Sequence, residues 1–275
     1  MKSDSALSKV KSGYAPVNGL QMYYEIHGER QGDTLPLVLV HGAYSSIEPD
    51  FGQMIPVFAH SRQVIAVELQ GHGHTADIDR PLRTEYMAED VAALLSHLGV
   101  ETADFFGYSM GSDVVLKVAY HHPEIVRKAV LAGGVSYNLE GLHPGMAEGW
   151  DAMPPDALDG TPWKNAYDKV APNPQDWANL MKKQQDMDRS YQPWSPEQIR
   201  SIKAPLLIMV GDSDIVRPEH VVEMFRLVGG GVAGDLVGVP PSQLAILPGT
   251  THVTLMHKVD WVTSMTLAFL NAPVQ

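Results

Sequence analysis

Short apolar runs recur along the chain, separated by amphipathic stretches and glycine-rich turns. Leu20-Gln21-Met22-Tyr23-Tyr24-Glu25-Ile26 alternates apolar and polar positions and is aromatic, which predicts an edge strand, with His27-Gly28 opening the turn after it. Leu37-Val38-Leu39-Val40 is apolar at every position, as a parallel strand covered on both faces must be. Gln63-Val64-Ile65-Ala66-Val67, Ala103-Asp104-Phe105-Phe106 and residues 126–131 predict three further strands. Between them, residues 84–98 carry Met87, Val91, Leu94 and Leu95 on one helical stripe, with Thr84 placed to act as N-cap. Residues 112–120 read as a helix with a largely buried surface, ending near His121-His122-Pro123. Residues 3–13 read as a loose polar leader.

The strand–helix rhythm stops after Gly134. Residues 137–196 are rich in Pro, Gly, Met and Trp, with a helical piece over 175–187. The rhythm then resumes with a strand at 205–210, a helix at 219–227, a strand at 243–247 and a closing helix at 259–270. Such alternation predicts an α/β chain, a mostly parallel sheet with helices on both faces. The irregular stretch reads as a cap inserted into that unit, which divides the chain into 1–136, 137–196 and 197–275. There is no internal repeat and no low-complexity tract.

Composition adds limits rather than a function. In 275 residues, 44% are hydrophobic and 19% charged, the profile of a globular protein with a substantial core. The formal charge of -12 argues against nucleic-acid or anionic-membrane partners, which need a basic surface. With no cysteine, disulfides, thiolate catalysis and thiolate metal sites are excluded. The polar start Met1-Lys2-Ser3-Asp4-Ser5-Ala6-Leu7-Ser8 lacks a signal peptide's apolar run, so a cytoplasmic location is expected.

The chemistry centres on Gly107-Tyr108-Ser109-Met110-Gly111, between an aromatic strand and a helix. A sharp strand-to-helix turn strains the backbone at Ser109 and brings neighbouring Cα atoms close, so glycine two residues to either side relieves the clash. The turn presents Oγ at the carboxyl edge of the sheet, where the helix N-terminus also aims its N–H groups. The pattern alone also fits a mere tight turn; its strand and helix context favours a nucleophile. Gly229-Gly230-Gly231-Val232-Ala233-Gly234 matches a dinucleotide fingerprint but follows a helix rather than a strand, so it reads as a flexible loop and no cofactor is expected. Gly71-His72-Gly73-His74 has no partner ligands at helical spacing, so no metal is expected either.

With His41-Gly42 after a strand, the serine pentapeptide, Gly211-Asp212-Ser213-Asp214 and Gly249-Thr250-Thr251-His252 in this order, the chain resembles the α/β-hydrolase superfamily from about residue 20 to residue 272. The resemblance implies an eight-stranded, mostly parallel sheet with a helical lid after the sixth strand. It implies Ser109 as nucleophile, His252 as its base and Asp214 as the acid that orients the base, with Asp212 tying down the turn. His257, close by, reads as a capping or surface residue. The implied oxyanion donors are the backbone N–H groups of Met110 and Ala43. His41-Gly42 fits both this role and a simple tight turn.

Trp150, Trp163, Trp177 and Trp194 all fall in the cap, where most suit ordinary packing, but a Trp- and Met-rich cover also suggests an apolar pocket. Tyr44, Tyr108, Trp150, Trp163, Val216 and Val253 are the candidate pocket residues. Relatives that open epoxides or remove halides use aspartate at the elbow, so Ser109 points instead to acyl transfer to water. The expected substrate is a small to medium, largely apolar carboxylic ester. A lactone, a diketone cleaved at a carbon–carbon bond, and a slow-turnover ligand-binding or signalling role are the alternatives.

Overall fold

The computed structural model describes residues 10–133 and 136–273. Strands β1 (Lys11–Val17), β2 (Leu20–His27), β3 (Leu37–Val40), β4 (Val64–Val67), β5 (Ala103–Tyr108), β6 (Val126–Ala132), β7 (Leu206–Ser213) and β8 (Gln243–Thr251) form one eight-stranded sheet in the order β1-β2-β4-β3-β5-β6-β7-β8. β1 pairs antiparallel with β2, and β2 antiparallel with β4; every later pairing is parallel.

The expected leader is corrected at its end, since Lys11, Ser12 and Gly13 belong to β1. The rest of it, residues 3–9, lies outside the described residues. The hairpin turns on Asn18-Gly19 with φ of 47° and 88°, the doubly positive geometry that suits right-handed strand twist and that Asn-Gly adopts at low cost. Ala15 and Val17 face the core while Tyr14 before them and Pro16 between them are exposed. Thr84 is corrected too: Arg83 occupies the N-cap of the Thr84–His97 helix with no side-chain cap, and the Thr84 hydroxyl donates instead to Asp113 Oδ2 at 2.5 Å.

The apolar runs of the central strands follow from the two-residue side-chain period. Val38, Val40, Ile65, Val67 and Phe105 join one core with Met87, Val91 and Leu94 of the Thr84–His97 helix and Val114, Val115 and Val118 of the Met110–His121 helix. Leu37, Leu39, Val64, Ala66 and Phe106 join a second core with Phe51, Phe58, Val262 and Phe269. No position on these strands can be polar without facing one core or the other. The segment between β6 and β7 contributes the helices Met146–Asp151, Pro162–Val170, Trp177–Arg189 and Pro196–Ser201, and its buried residues Tyr167, Trp177, Leu180 and Met181 belong to the first core. No helix among the described residues is long and apolar enough to cross a membrane.

At the opposite edge of the sheet from Ser109, Asp104 at the start of β5 is fully buried between two guanidiniums. Arg62 Nη1 donates to its Oδ2 at 2.8 Å and Arg127 Nε to its Oδ1 at 2.8 Å. The same arginines bind the closing helix Val259–Asn271: Arg62 Nη2 donates to Asn271 Oδ1 at 2.6 Å, and Arg127 Nη2 to Leu270 O at 2.8 Å. Asp104→Ala would leave buried Arg62 charged without its carboxylate. The expected loss is about 3–5 kcal/mol of unfolding free energy, read from denaturant titration. A loss within about 1 kcal/mol would mean that water or Asn271 already satisfies Arg62.

Candidate active site

Ser109 sits between β5 and the Met110–His121 helix with φ 55° and ψ -122°, one of few non-glycine residues at positive φ among those described. Such a conformation costs on the order of 1–3 kcal/mol and persists only where its surroundings enforce it. Here they do. Ser109 N donates to Ala132 O at 2.8 Å, and Ser109 O accepts from Ser112 N at 2.8 Å. Ser112 Oγ reaches Gly107 O at 2.7 Å and Ala132 O at 2.9 Å, bonding the first helical turn to β5 and β6. A Cβ on Gly107 would lie 2.2 Å from Gly111 O, and one on Gly111 would lie 2.2 Å from Val40 O. Both contacts are with backbone, which cannot swing aside, so the glycines let the helix press onto β5 and β3.

The structure brings Ser109, His252 and Asp214 into one hydrogen-bonded chain, although the last two lie far along the sequence. His252 Nε2 is 2.9 Å from Ser109 Oγ, and its Nδ1 is 2.9 Å from Asp214 Oδ1. Asp214 is buried and, as a carboxylate, only accepts, so Nδ1 carries the proton and the Nε2 lone pair faces the serine hydroxyl. Asp214 is itself fixed by backbone, its Oδ1 accepting from Ile215 N at 2.8 Å and its Oδ2 from Gly211 N at 3.2 Å. His252 opens the short helix His252–Leu255, whose Thr251 and Thr254 cap each other reciprocally. Tyr108 stacks on the imidazole at 5.4 Å between ring centres, and its hydroxyl donates to His252 O at 3.2 Å. His257 is exposed beyond this turn and takes no part.

Asp212 occupies the other side of the same loop. Its Oδ2 accepts from Gly249 N at 2.9 Å and its Oδ1 from Thr250 N at 3.1 Å, and these backbone donors hold its carboxyl below the usual range. Asp212 thus clasps β7 to the end of β8, two residues before His252.

Ala43 and Met110 border the cavity beside Ser109, and no protein acceptor takes either N–H among the described residues. The loop bearing Ala43 is held by Asp50, which the sequence reading passed over. Asp50 Oδ2 accepts from Gly42 N at 2.8 Å and its Oδ1 from Ser45 Oγ at 2.6 Å. Burial pushes the Asp50 carboxyl up to about 6 against these hydrogen bonds. His41 completes the loop, its Nε2 accepting from Leu69 N at 3.1 Å, so that Nδ1–H donates to Gly42 O at 2.7 Å. Burial lowers His41 to about 3 and His72, whose ring lies 5.1 Å away, to about 4, so both are neutral packing residues at ordinary pH. In the same turn, His74 is bound by its N and Nδ1 to the buried Glu68 carboxylate.

Ser109 and His252 open into a cavity of about 670 Å³ between the sheet edge and the segment that joins β6 to β7. Of the candidate pocket residues, Tyr44, Tyr108, Trp150, Trp163 and Val253 line it. Val216 does not: it is fully buried and bridges to Leu142, and its neighbour Ile215 faces the cavity instead. Trp177 and Trp194 are buried in packing, Trp177 against Tyr167 and Trp194 against Tyr120. Met153 and Met187 line the cavity, Met181 is buried in the core, and Met146 packs against that core.

A family model described as alpha/beta hydrolase fold matches residues 36–175. The chain is 34% identical over 127 residues to a pyrrolizixenacetamide deacetylase of Xenorhabdus hominickii, covering 46% of this chain and 44% of that protein. It is 34% identical over 120 residues to a 2-hydroxymuconate semialdehyde hydrolase of Pseudomonas sp. (strain CF600), covering 40% of this chain and 41% of that protein. The aligned stretch thus spans less than half the length of these curated relatives. Among solved structures, an enol-lactonase from Burkholderia xenovorans LB400 superposes with a TM-score of 0.72 over 94% of this chain and 100% of its own, at 19% identity. Identity that low speaks for the fold alone.

The two aspartates separate by experiment. Asp214→Asn should leave His252 in the wrong tautomer and lower kcat by about two to four orders of magnitude. Asp212→Asn should act on stability. A depressed carboxyl stabilises the fold above its unfolded pKa and loses that contribution as pH falls through its folded pKa. The difference in thermal midpoint between wild type and Asp212→Asn should therefore be present at neutral pH and shrink below the ordinary carboxylate range. The opposite ranking of kcat losses would move the orienting role to Asp212.

Proposed function

The chain belongs to the α/β-hydrolase fold family, and on that premise we propose that it is a serine hydrolase of small to medium, largely apolar carboxylic esters, acting through an acyl-enzyme. The observation that carries this reading is the hydrogen-bonded chain Asp214–His252–Ser109 opening on a cavity walled by Tyr108, Trp150, Met153, Trp163 and Met187. As Ser109 Oγ attacks the ester carbonyl, its proton passes to His252 Nε2, and Asp214 stabilises the imidazolium. The carbonyl oxygen becomes an oxyanion and accepts from the N–H groups of Ala43 and Met110, which have no competing acceptor among the described residues. Collapse of the tetrahedral intermediate expels the alkoxide, which takes the proton from His252. Water then repeats the sequence on the acyl-enzyme, giving up its proton to the same nitrogen and releasing the carboxylic acid.

Ser109→Ala should lower ester turnover by at least about a thousandfold while the fold survives, because the three side chains act as a unit. A phosphonate probe should label Ser109 in the wild type. Labelling at Ser45 or Ser112 would remove the assignment. Tight binding of esters with negligible turnover would make the protein a receptor instead.

The covered cavity sets a limit on chain length. Each methylene buried gains roughly 0.8 kcal/mol until the space is full. kcat/KM across p-nitrophenyl acetate, butyrate, octanoate and palmitate should therefore rise from acetate and then fall. A maximum at palmitate would mean an open groove rather than a lid. Lactone and diketone substrates belong in the same assay, and preference for either over every ester would replace the ester as substrate.

A further inference from the structure

The Trp177–Arg189 helix buries Trp177, Leu180, Met181, Gln184 and Met187 on one stripe, and Gln184 is the one polar side chain there. It is 3% exposed and lines the cavity that holds Ser109 and His252. Its Nε2 donates to Asp188 Oδ1, one helical turn on, at 3.1 Å, while its Oε1 has no partner. Asp188 also lines the cavity, and its Oδ2 takes no protein hydrogen bond among the described residues. On the same cavity lining, the buried hydroxyl of Tyr44 has no partner among the described residues either, and it lies within the field of the Asp188 carboxyl. A buried acceptor left unpaired in an otherwise apolar stripe is costly to the fold, which marks this corner as built for a ligand rather than for packing.

The three groups share one chemistry. Gln184 Oε1, Asp188 Oδ2 and Tyr44 Oη all accept hydrogen bonds, and one of them carries negative charge when ionised. We propose that Tyr44, Gln184 and Asp188 form a subsite for a protonated primary amine on the substrate, so that the preferred acyl or alcohol part carries an ammonium group at its far end. A primary ammonium brings three donors to the three acceptors, whereas a hydroxyl brings one and a carbonyl none. The other carboxylates on the cavity wall are occupied or open to water. Asp113 accepts from Trp194 Nε1 and Thr84 Oγ1, Asp151 is paired with Arg189, Glu85 is paired with Lys117, and Glu148 is exposed. The Arg189 guanidinium is paired with Asp151 and Asp186 and acts on Asp188 only through its field, and Arg83, the other cation on the cavity lining, donates to Ser190 Oγ at 3.3 Å, so among the described residues no cation forms an ion pair with Asp188. Burial pushes the Asp188 carboxyl up to about 7, against the effects of Gln184 and Arg189, and Tyr44 on the same cavity lining lies within its field. An arriving ammonium favours the ionised form and draws that proton off. The net charge of -12 favours the approach of a cation.

The kinetic test rests on the ester-hydrolase reading, and a binding test does not. kcat/KM is compared for the p-nitrophenyl esters of ε-aminocaproate and of its neutral isostere heptanoate at about pH 8, where the amine is charged and the carboxyl ionised. The amino ester should be preferred by about tenfold or more, as charge-assisted hydrogen bonds require. That ratio should fall towards unity in Asp188→Asn and drop in Gln184→Met. Independently, calorimetry should show hexylammonium binding to wild type more tightly than hexanol, and Asp188→Asn should abolish the difference. A wild-type ratio at or below unity, or a ratio unchanged by Asp188→Asn, overturns the subsite. Amine binding that depends on Asp188 without turnover of any ester leaves the subsite standing and removes the ester-hydrolase reading. Turnover of both esters with no amine binding does the reverse.

Discussion

The close approach of the Met110–His121 helix to β3 and β5 is the constraint on which the site depends. At Gly111 a methyl group would sit 2.2 Å from Val40 O, and at Gly107 one would sit 2.2 Å from Gly111 O. Only that distance lets the chain reverse within one residue, and only that reversal places Ser109 at φ 55° with its side chain clear of both elements. The strain is held by neighbours on both sides, since Ser112 ties the helix back to the carbonyls of Gly107 and Ala132. Relaxing the elbow would move Oγ away from His252 and turn the Met110 N–H from the cavity.

The rest of the site is arranged by carboxylates that take backbone N–H groups, Asp50 and Asp214 buried and Asp212 exposed. Asp50 takes the Gly42 N–H, Asp214 takes those of Gly211 and Ile215, and Asp212 takes those of Gly249 and Thr250. Each carboxylate converts a loop into a fixed position at the carboxyl edge of the sheet. The far edge is held differently, by Asp104 between Arg62 and Arg127, which anchor the closing helix. Lys128 adds to this, donating to Phe269 O at 2.7 Å. β5 therefore carries an ion network at one end and the strained Ser109 turn at the other.

Much of this was legible in the chain because hydrophobic period and glycine placement are local signals. The strands over Leu37–Val40 and Val64–Val67 stand out because both faces are buried, so every residue is apolar. Ser109 stood out in its glycine pentapeptide between a strand and a helix, whereas Asp214 and His252, three residues after Gly211 and Gly249, stood out only through the order of motifs that the family resemblance supplies. β1 was not legible as a strand, since Ser12, Gly13 and Pro16 dilute its pattern, although Asn18-Gly19 between two valine- and leucine-bearing segments is a hairpin signal in its own right. Asp50 was hidden because nothing in its own stretch distinguishes it; its role comes from folding back onto Gly42. Val216 and Ile215 differ by one position, and on a loop one position decides which side chain sees the cavity.

The two walls of the cavity obey different physics, and that difference bears on what can vary. On the sheet side, the proposed oxyanion donors are main-chain, so Ala43 and Met110 are free to change identity while Asp50 and the elbow keep the N–H groups in place. On the side of the segment between β6 and β7, hydrogen bonds at the margin add to the packing of Trp177, Leu180 and Met181 into the core. Lys183 Nζ donates to Asp77 Oδ2 at 2.6 Å and to Ile78 O at 2.7 Å, Asn179 Nδ2 donates to Asp77 Oδ2 at 2.8 Å, and Trp194 Nε1 donates to Asp113 Oδ1 at 2.8 Å. The bonds from Asn179 and Lys183, with that packing, hold the Trp177–Arg189 helix, and the bond from Trp194 holds the chain beyond it, without specifying what the helix presents to the cavity. A change at Gln184, Met187 or Asp188 therefore alters what the cavity admits while the geometry around Ser109 stands, because no hydrogen bond of the serine, histidine and aspartate passes through that helix.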